Sequence, residues 1–200
     1  MKSEDKTRIT RERIINAGIK EFGSKGYAAS SINNVSDSGI AKGLIYHNFT
    51  GKDELYLECL RVCFEEITEN LSCHEKGADH RKYFDMRMKL FSEKREKAAM
   101  VLEALIAPPE KHYEEILRIR EPYDRMNEEW IRKILSSGNL RSGVDIESAL
   151  KYLSVMQDMF NSYCCGAKFA DRPFESLISL HEEKLPIAFE YMLYGVMKGE

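Results

Sequence analysis

An all-α fold, with short helices ahead of long ones, follows from three features of this 200-residue sequence. Apolar residues recur at spacings of three and four, and no alternating strand pattern occurs. Six of the 12 glycines lie at or before Gly51, whereas all five prolines lie at or beyond Pro108. With 43% hydrophobic and 32% charged residues, the chain can build a core and is too apolar to be disordered. The N-terminal quarter therefore reads as short elements joined by glycine turns, and the rest as longer helices. No repeat or low-complexity segment interrupts this pattern.

The elements follow in order. A first helix is predicted from about Thr10 to Gly23, with Ile15, Gly18, Ile19 and Phe22 on one face and Gly23 and Gly26 as its stop. Ser30 or Ser31 caps a second, short helix carrying Ile32 and Val35. Gly39 breaks it, and a third runs from Ala41 to Phe49. A long helix begins near Asp53 and ends before Gly77, with Tyr56, Leu60, Cys63, Phe64, Ile67 and Leu71 as its stripe. Further helices are expected over Asp79 to Phe91, Glu96 to Ile106 and Glu110 to Leu135, the last kinked or divided at Pro122. Asp145 caps a helix to about Cys165. The last covers about Phe174 to Met197, bent or divided at Pro186.

Charge separates the two regions. Net charge is −3 overall, yet residues 1–52 hold nine Lys/Arg against five Asp/Glu, and the remaining 148 hold 21 against 28. Only the N-terminal quarter suits a polyanion. No apolar run approaches the roughly 18–20 residues that cross a bilayer, and no secretory signal is visible. Five cysteines (Cys59, Cys63, Cys73, Cys164 and Cys165) are an odd count for a disulfide scaffold. The expected address is the cytoplasm, with reduced thiols.

The informative stretch is Ser31 to Leu55. Two short helices joined by a glycine turn form a helix-turn-helix. The second is too short to be stable alone. Ile45 and Phe49, four apart, anchor it to the core, so Lys42, Tyr46 and His47 point elsewhere. A cation, a phenol and an imidazole on one exposed face suit a phosphate-lined groove. Lys52 follows at the start of the next helix, where backbone N–H groups favour anions.

The run from Gly39 to Leu55 (GIAKGLIYHNFTGKDEL) resembles the helix-turn-helix signature of the TetR (tetracycline repressor) family. Ile14-Ile15-Asn16-Ala17-Gly18, Phe22 and Gly26-Tyr27 resemble that family's first helix and its exit. The resemblance covers roughly residues 8 to 60. Two departures are visible: one residue fewer between Gly26 and Gly39, and polar Ser36-Asp37-Ser38 where the family favours small apolar residues.

The resemblance implies an all-α chain with an N-terminal three-helix helix-turn-helix head and a helical ligand-binding and dimerisation body. The expected division is 1–52 for the DNA-binding domain and 53–200 for the effector-binding and dimerisation domain. By position, Lys42, Gly43, Leu44 and His47 fall where the family touches bases, Leu44 suiting a thymine methyl. Tyr46 and Lys52 match phosphate-contacting positions, and Ser30, Ser31 and Thr50 lie near such positions. Operator DNA, a second copy of the chain and a small-molecule effector are the implied partners, with no membrane.

In the body, the helix from Asp145 is apolar on more than one side, so it needs two neighbours. The resemblance implies that it pairs, with the last helix, against the same helices of a second copy. Leu153, Phe160, Cys164, Phe189, Met192, Leu193 and Val196 are the interface candidates. Residues 80–165 are rich in Met and aromatics, which suits a cavity for an apolar or aromatic compound. Phe84, Met88, Met100, Tyr113, Met126, Trp130, Met159 and Tyr163 are the candidate lining residues. No metal or cofactor is expected.

Enzymatic readings find no support. Gly23-Ser24-Lys25-Gly26 lacks the spacing of a phosphate-binding loop. There is no G-x-S-x-G or H-E-x-x-H motif. Cys59, Cys63 and Cys73-His74 match no compact zinc signature. The expected function is a transcription regulator, a repressor released from its operator by a small apolar or aromatic effector. The alternatives are a regulator of the same kind sensing thiol oxidation or a protein partner, and a helical interaction protein without DNA binding.

Overall fold

The computed structural model describes residues 3–74, 79–164 and 174–196. Among these, nine α-helices and one 3-10 turn form, and no β-strand. The head comprises α1 (Ser3–Ala29), α2 (Ile32–Ser36) and α3 (Lys42–Asn48). The long α4 (Lys52–His74) leads into α5 (His80–Glu93) and α6 (Arg95–Ile106). A 3-10 turn (Glu110–His112) then precedes α7 (Tyr113–Ser137), α8 (Ile146–Cys164) and α9 (Phe174–Val196). The expected positions of Gly77, Cys165, Gly166, Pro173 and Met197 lie outside the described residues.

Helix α1 starts seven residues earlier than its apolar pattern indicates, because its first turns carry exposed polar and charged residues that add no apolar repeat. Its regular course breaks at Gly26, at φ 74. Gly23 is not part of the stop. It lies inside the helix, where α1 crosses α6, and a Cβ there would sit 2.3 Å from the carbonyl oxygen of Glu96. The residue is glycine so that two backbones can touch. Pro122 divides nothing either: α7 runs unbroken through it. Pro122 and Arg118 are both exposed, so the carbonyl that loses its N–H partner faces water.

The stripe of α4 is buried as its spacing predicts, from Leu55 and Tyr56 to Ile67 and Leu71. It packs on α1, α6 and α7. One continuous core runs from Ile14 in the head to Leu193 in α9. Full burial of such side chains contributes roughly 1.5–3 kcal/mol each, so the head is held by the same cohesion as the body.

The joint between head and body is polar. Glu103 on α6 is buried, and its carboxylate accepts the Tyr27 N–H at 2.8 Å and the Tyr56 hydroxyl at 3.3 Å. It thus takes up the backbone donor that the break at Gly26 releases. Burial pushes the Glu103 carboxyl up to about 7, against its hydrogen bonds and the more distant Lys52. Beside it, the Tyr27 hydroxyl donates to Asp53 at 2.5 Å and contacts His112 Nε2 at 3.2 Å. Lys111 reaches the same Asp53 carboxylate. Lys111 and the Tyr27 hydrogen bond hold Asp53 down to about 2 despite its partial burial.

These contacts set two expectations. Gly23→Ala forces a methyl into the Glu96 backbone and lowers unfolding free energy by about 1–3 kcal/mol in urea titration. Glu103 binds its proton more tightly folded (about 7) than unfolded (4.5). Its contribution is therefore complete below the unfolded value and drains as pH rises through the folded one. Glu103→Gln, which cannot ionise, gains on the parent by about 1–3 kcal/mol between pH 5 and 8. A difference in unfolding free energy that stays flat across that interval contradicts the assignment.

Candidate nucleic-acid interface and effector cavity

Helix α2 is fixed first. Ser31 is its N-cap, its Oγ accepting the Asn34 N–H at 3.2 Å. Glu21 of α1 accepts from the Asn34 side chain at 2.7 Å and from the Ser31 N–H at 3.3 Å, and pairs with Lys25. Burial raises the Glu21 pKa, but these partners outweigh it and hold the carboxyl below its usual range. The polar Ser36-Asp37-Ser38 has a use in the turn. The Ser38 hydroxyl donates to the Val35 carbonyl at 2.7 Å, and the Ser36 carbonyl takes the N–H groups of Gly39 and Ile40. Gly39, at φ +86, then reverses the chain.

Helix α3 is seated by two side chains. Ile45 is 0% exposed and Phe49 1%, whereas Lys42, Gly43, Leu44, Tyr46 and His47 all face solvent. The expected base-contacting set therefore shares one open surface with Tyr46. No heavy atom lies within 4 Å of where a Gly43 Cβ would be, so nothing in the protein requires this glycine. It leaves the start of α3 bare for close approach of another backbone. Arg11 stacks over Phe49 at 4.8 Å and pairs with Glu58 at 2.8 Å, bracing α3 from α1 and α4.

The flanking candidates are placed differently. Ser30 is buried, its hydroxyl donating to the carbonyls of Gly26 at 2.7 Å and Glu21 at 3.2 Å. It closes the end of α1 and presents no group to solvent. Ser31 is held by its capping bond. Thr50 is exposed, but its N–H and hydroxyl both donate to Glu54, at 2.6 and 2.7 Å. Lys52 lies over the Tyr27 ring at 4.3 Å with its ammonium near the Ala28 carbonyl.

In the body, a cavity of about 40 Å³ opens between α5, α7, α8 and α9. Trp130 forms its floor, stacked on Tyr83 at 3.8 Å and on Phe189 at 5.4 Å, with Phe84 edge-on at 5.9 Å. Arg87 supplies the polar wall. Its guanidinium donates to both carboxylate oxygens of Glu182, at 2.9 and 3.0 Å, and to the Tyr123 hydroxyl at 2.5 Å. Burial raises the Glu182 pKa, but Arg87 and His181 overcome it and hold the carboxyl down to about 2.

Of the eight lining residues expected, Phe84 and Trp130 line this cavity. Met100 and Met126 are core residues away from it. Met88 borders a separate surface cleft, and Tyr113 one between α7 and α8 that adjoins the cavity through Tyr123, Asn127, Gln157 and Asn161. Met159 and Tyr163 are 60% and 57% exposed on the outer face of α8. Sequence reasoning missed Arg87 and Gln157, whose polarity hid them, although Arg87 falls in register with Tyr83 and Phe84.

The expected interface set lies mostly inward. Leu153, Phe189 and Met192 line the cavity, Cys164 and Leu193 are buried, and Phe160 packs against the core and the His181 ring. The Val196 side chain lies outside the described residues. What α8 and α9 present outward is the other stripe: Tyr152, Val155, Met159 and Tyr163, with Ile187, Tyr191 and Tyr194. The sequence showed both stripes of α8; choosing between them required knowing which one α7 and α9 cover.

The two cysteines of the α4 stripe are poor redox sensors. Cys59 and Cys63 are fully buried, and burial pushes the Cys63 thiol up to about 12 and the Cys59 thiol well above its usual value. Cys164 is buried too, and Cys73 alone among the described cysteines is exposed.

Comparison with known proteins agrees with the geometry. Residues 14–59 match the family model described as bacterial regulatory proteins, tetR family. A search of the curated proteins finds no match to the chain. Among solved structures, a TetR family transcriptional regulator from Chloroflexus aurantiacus is 20% identical, with a TM-score of 0.58 over 96% of this chain and 95% of its own. The fatty acid degradation regulator FadR of Bacillus halodurans is 15% identical, with a TM-score of 0.57 over 88% and 97%. FadR of Bacillus subtilis, solved with stearoyl-CoA, is 16% identical, with a TM-score of 0.58 over 88% and 98%. At such identities the likeness shows a shared fold. Residues 14–59 are thus a segment of the tetR family type, and the chain around them shares the fold of TetR family regulators.

Proposed function

We propose that this DNA-binding regulator is a homodimeric repressor, released from its operator by a small uncharged effector held in the body. Residues 1–52 serve as the reading head and 53–200 as the sensing and pairing body. The observation that carries the reading is the seating of α3. Its apolar side chains are wholly inside, and Lys42, Leu44, Tyr46 and His47 stand together outside. A seven-residue helix offering a cation, a phenol and an imidazole to solvent has no structural use for them. They suit the floor and walls of a major groove.

One head reads one half-site, so two are needed about 34 Å apart. The outward stripe of α8 and α9 supports pairing. Tyr152, Val155, Met159, Tyr163, Ile187, Tyr191 and Tyr194 are between 38% and 74% exposed on neighbouring helices. A patch of that kind marks a protein contact.

Helix α6 supports the coupling. Leu105 lines the cavity, and Glu103, two residues earlier, holds the Tyr27 N–H at the joint. Gly23 presses α1 against the same helix at Glu96. An effector that shifts α6 therefore tilts α1 and changes the separation of the two heads. DNA affinity falls by the effector's differential affinity for the two arrangements.

Electrophoretic mobility shifts on the DNA flanking the chain's own gene test this reading. Lys42→Ala weakens specific binding by about 1–3 kcal/mol, and Tyr46→Phe, at a phosphate-contacting position, weakens specific and nonspecific binding together. Lys52→Ala weakens all sequences alike and lowers the slope of log affinity against log salt by about one. Met159→Glu with Tyr191→Glu yields a folded monomer by light scattering, with specific binding reduced at least about tenfold. A dimer that survives the double change rules out the α8–α9 face as the interface.

A further inference from the structure

Resting on the reading of this chain as a DNA-binding repressor, the joint between head and body carries a further role in its regulation. Glu103 on α6 is 8% exposed and touches two donors, the Tyr27 N–H at 2.8 Å and the Tyr56 hydroxyl at 3.3 Å. Both donors are neutral, and among the described residues no cation pairs with this carboxyl. A buried carboxylate without a counterion is costly, and protonation removes the cost. The neutral group keeps both contacts: one oxygen accepts the Tyr27 N–H, and the other, as a hydroxyl, donates to the Tyr56 oxygen. The packed joint therefore favours the proton, and burial pushes the carboxyl up to about 7.

What this carboxyl holds is the entry to the reading head. The Tyr27 N–H is the first after the break at Gly26. A few residues on, Ser30 closes α1 and Ser31 caps α2. The Tyr27 hydroxyl is tied to Asp53 at the start of α4, and its ring packs on Tyr56 at 4.8 Å. A charge on Glu103 seeks water, to which the closed joint gives little access. Ionisation thus favours arrangements in which the end of α1 has parted from α6, leaving the Gly23 contact at Glu96 as the remaining hold between the two helices. A head held less firmly has to be ordered again on DNA, so affinity falls.

Electrostatics gives the same sign. The Lys52 ammonium, 4.3 Å over the Tyr27 ring, is the cation whose field reaches Glu103 and favours its charged form. A phosphate seated on Lys52 cancels that field, and the polyanion adds its own. DNA therefore raises the proton affinity of Glu103, and by reciprocity the proton raises the affinity for DNA.

Most groups around the carboxyl keep one charge between pH 6 and 8. On α1, burial and Asp53 push the Tyr27 hydroxyl up to about 12. On α4, burial and Glu103 raise Tyr56 above its usual value, and burial pushes Cys63 up to about 12. Lys111 and Tyr27 hold Asp53 down to about 2. No charged group of α8 or α9 acts on Glu103. His112, in the 3-10 turn, is the remaining neighbour of the joint, its Nε2 lying 3.2 Å from the Tyr27 hydroxyl and 3.4 Å from Asp53. Imidazoles as a class change charge in this interval, so His112 requires its own control.

We propose that Glu103 is a proton-operated latch between head and body: protonated, it closes the α1–α6 joint and favours DNA, and ionised, it loosens the head and weakens its grip.

Glu103→Gln keeps the closed form at every pH, since its amide oxygen accepts the Tyr27 N–H and its amide nitrogen donates to the Tyr56 oxygen. Two measurements on the full-length protein at pH 6, 7 and 8 test the latch. The first is amide hydrogen exchange over residues 24–31 without DNA. Protection relative to the intrinsic rate is expected to fall about five- to tenfold from pH 6 to pH 8 in the parent, and less than about twofold in Glu103→Gln. The second is affinity for the duplex flanking the chain's own gene and for a duplex of shuffled sequence. Parent affinity is expected to fall about three- to tenfold more over the same range than that of Glu103→Gln. Any contribution of His47 is common to both proteins and cancels in that ratio. The exchange profile is expected to persist in His112→Gln. Equal pH profiles for parent and Glu103→Gln in either measurement, or a profile that His112→Gln abolishes, overturns the latch. The two readings fail separately. A parent that binds neither duplex at any pH while its exchange profile stands removes the proposed function alone, and DNA binding with equal profiles removes the latch alone.

Discussion

The contact on which the rest depends is the crossing of α1 and α6. Gly23 brings two backbones together at Glu96, and seven residues along α6 the Glu103 carboxyl holds the first N–H after the break in α1. Two fixed points on one helix define a direction. The head is therefore oriented on the body by one backbone-on-backbone contact and one buried carboxyl that holds a main-chain N–H. Glu21 carries that orientation on to α2, and Arg11 braces α3 against α1 and α4. What α3 offers to solvent is thus set by geometry that begins in the body.

Two buried carboxyls show how the surroundings divide the work. Glu182 has a guanidinium on both oxygens and stays ionised far below neutrality. Glu103 has only neutral donors and is pushed up to about 7. The first makes the cavity wall electrically silent, a rigid brace from α5 to α9. The second leaves the joint between α1, α4 and α6 close to its titration point. Neighbours decide this difference, since the two side chains are chemically identical.

Much of this was legible in the sequence, for identifiable reasons. The α4 stripe and the Ile45–Phe49 pair are strictly periodic, and periodicity reports burial. The Gly39 turn and the Asp145 and Ser31 caps carry their own local chemistry. Ser30 and Gly23 were misplaced because their partners, Glu21 and Glu96, are distant in the chain or on another helix. Leu153 and Phe189 were assigned to a subunit contact because an apolar stripe looks the same whether it faces a cavity or a second molecule. Arg87 and Gln157 went unnoticed because polarity suggests solvent. Only packing shows that an arginine has been enclosed together with its counterion.

Because α3 is held by just two inward side chains, its outward positions answer to nothing in the protein's interior. Residues 42, 43, 44, 46 and 47 touch neither core nor joint. If α3 reads DNA as proposed, replacing them rewrites what is recognised while the scaffold stays as it was. A lineage carrying this architecture can therefore drift from one target sequence to another by single exchanges, each viable as a folded protein, with no intermediate that must first lose and then regain its shape.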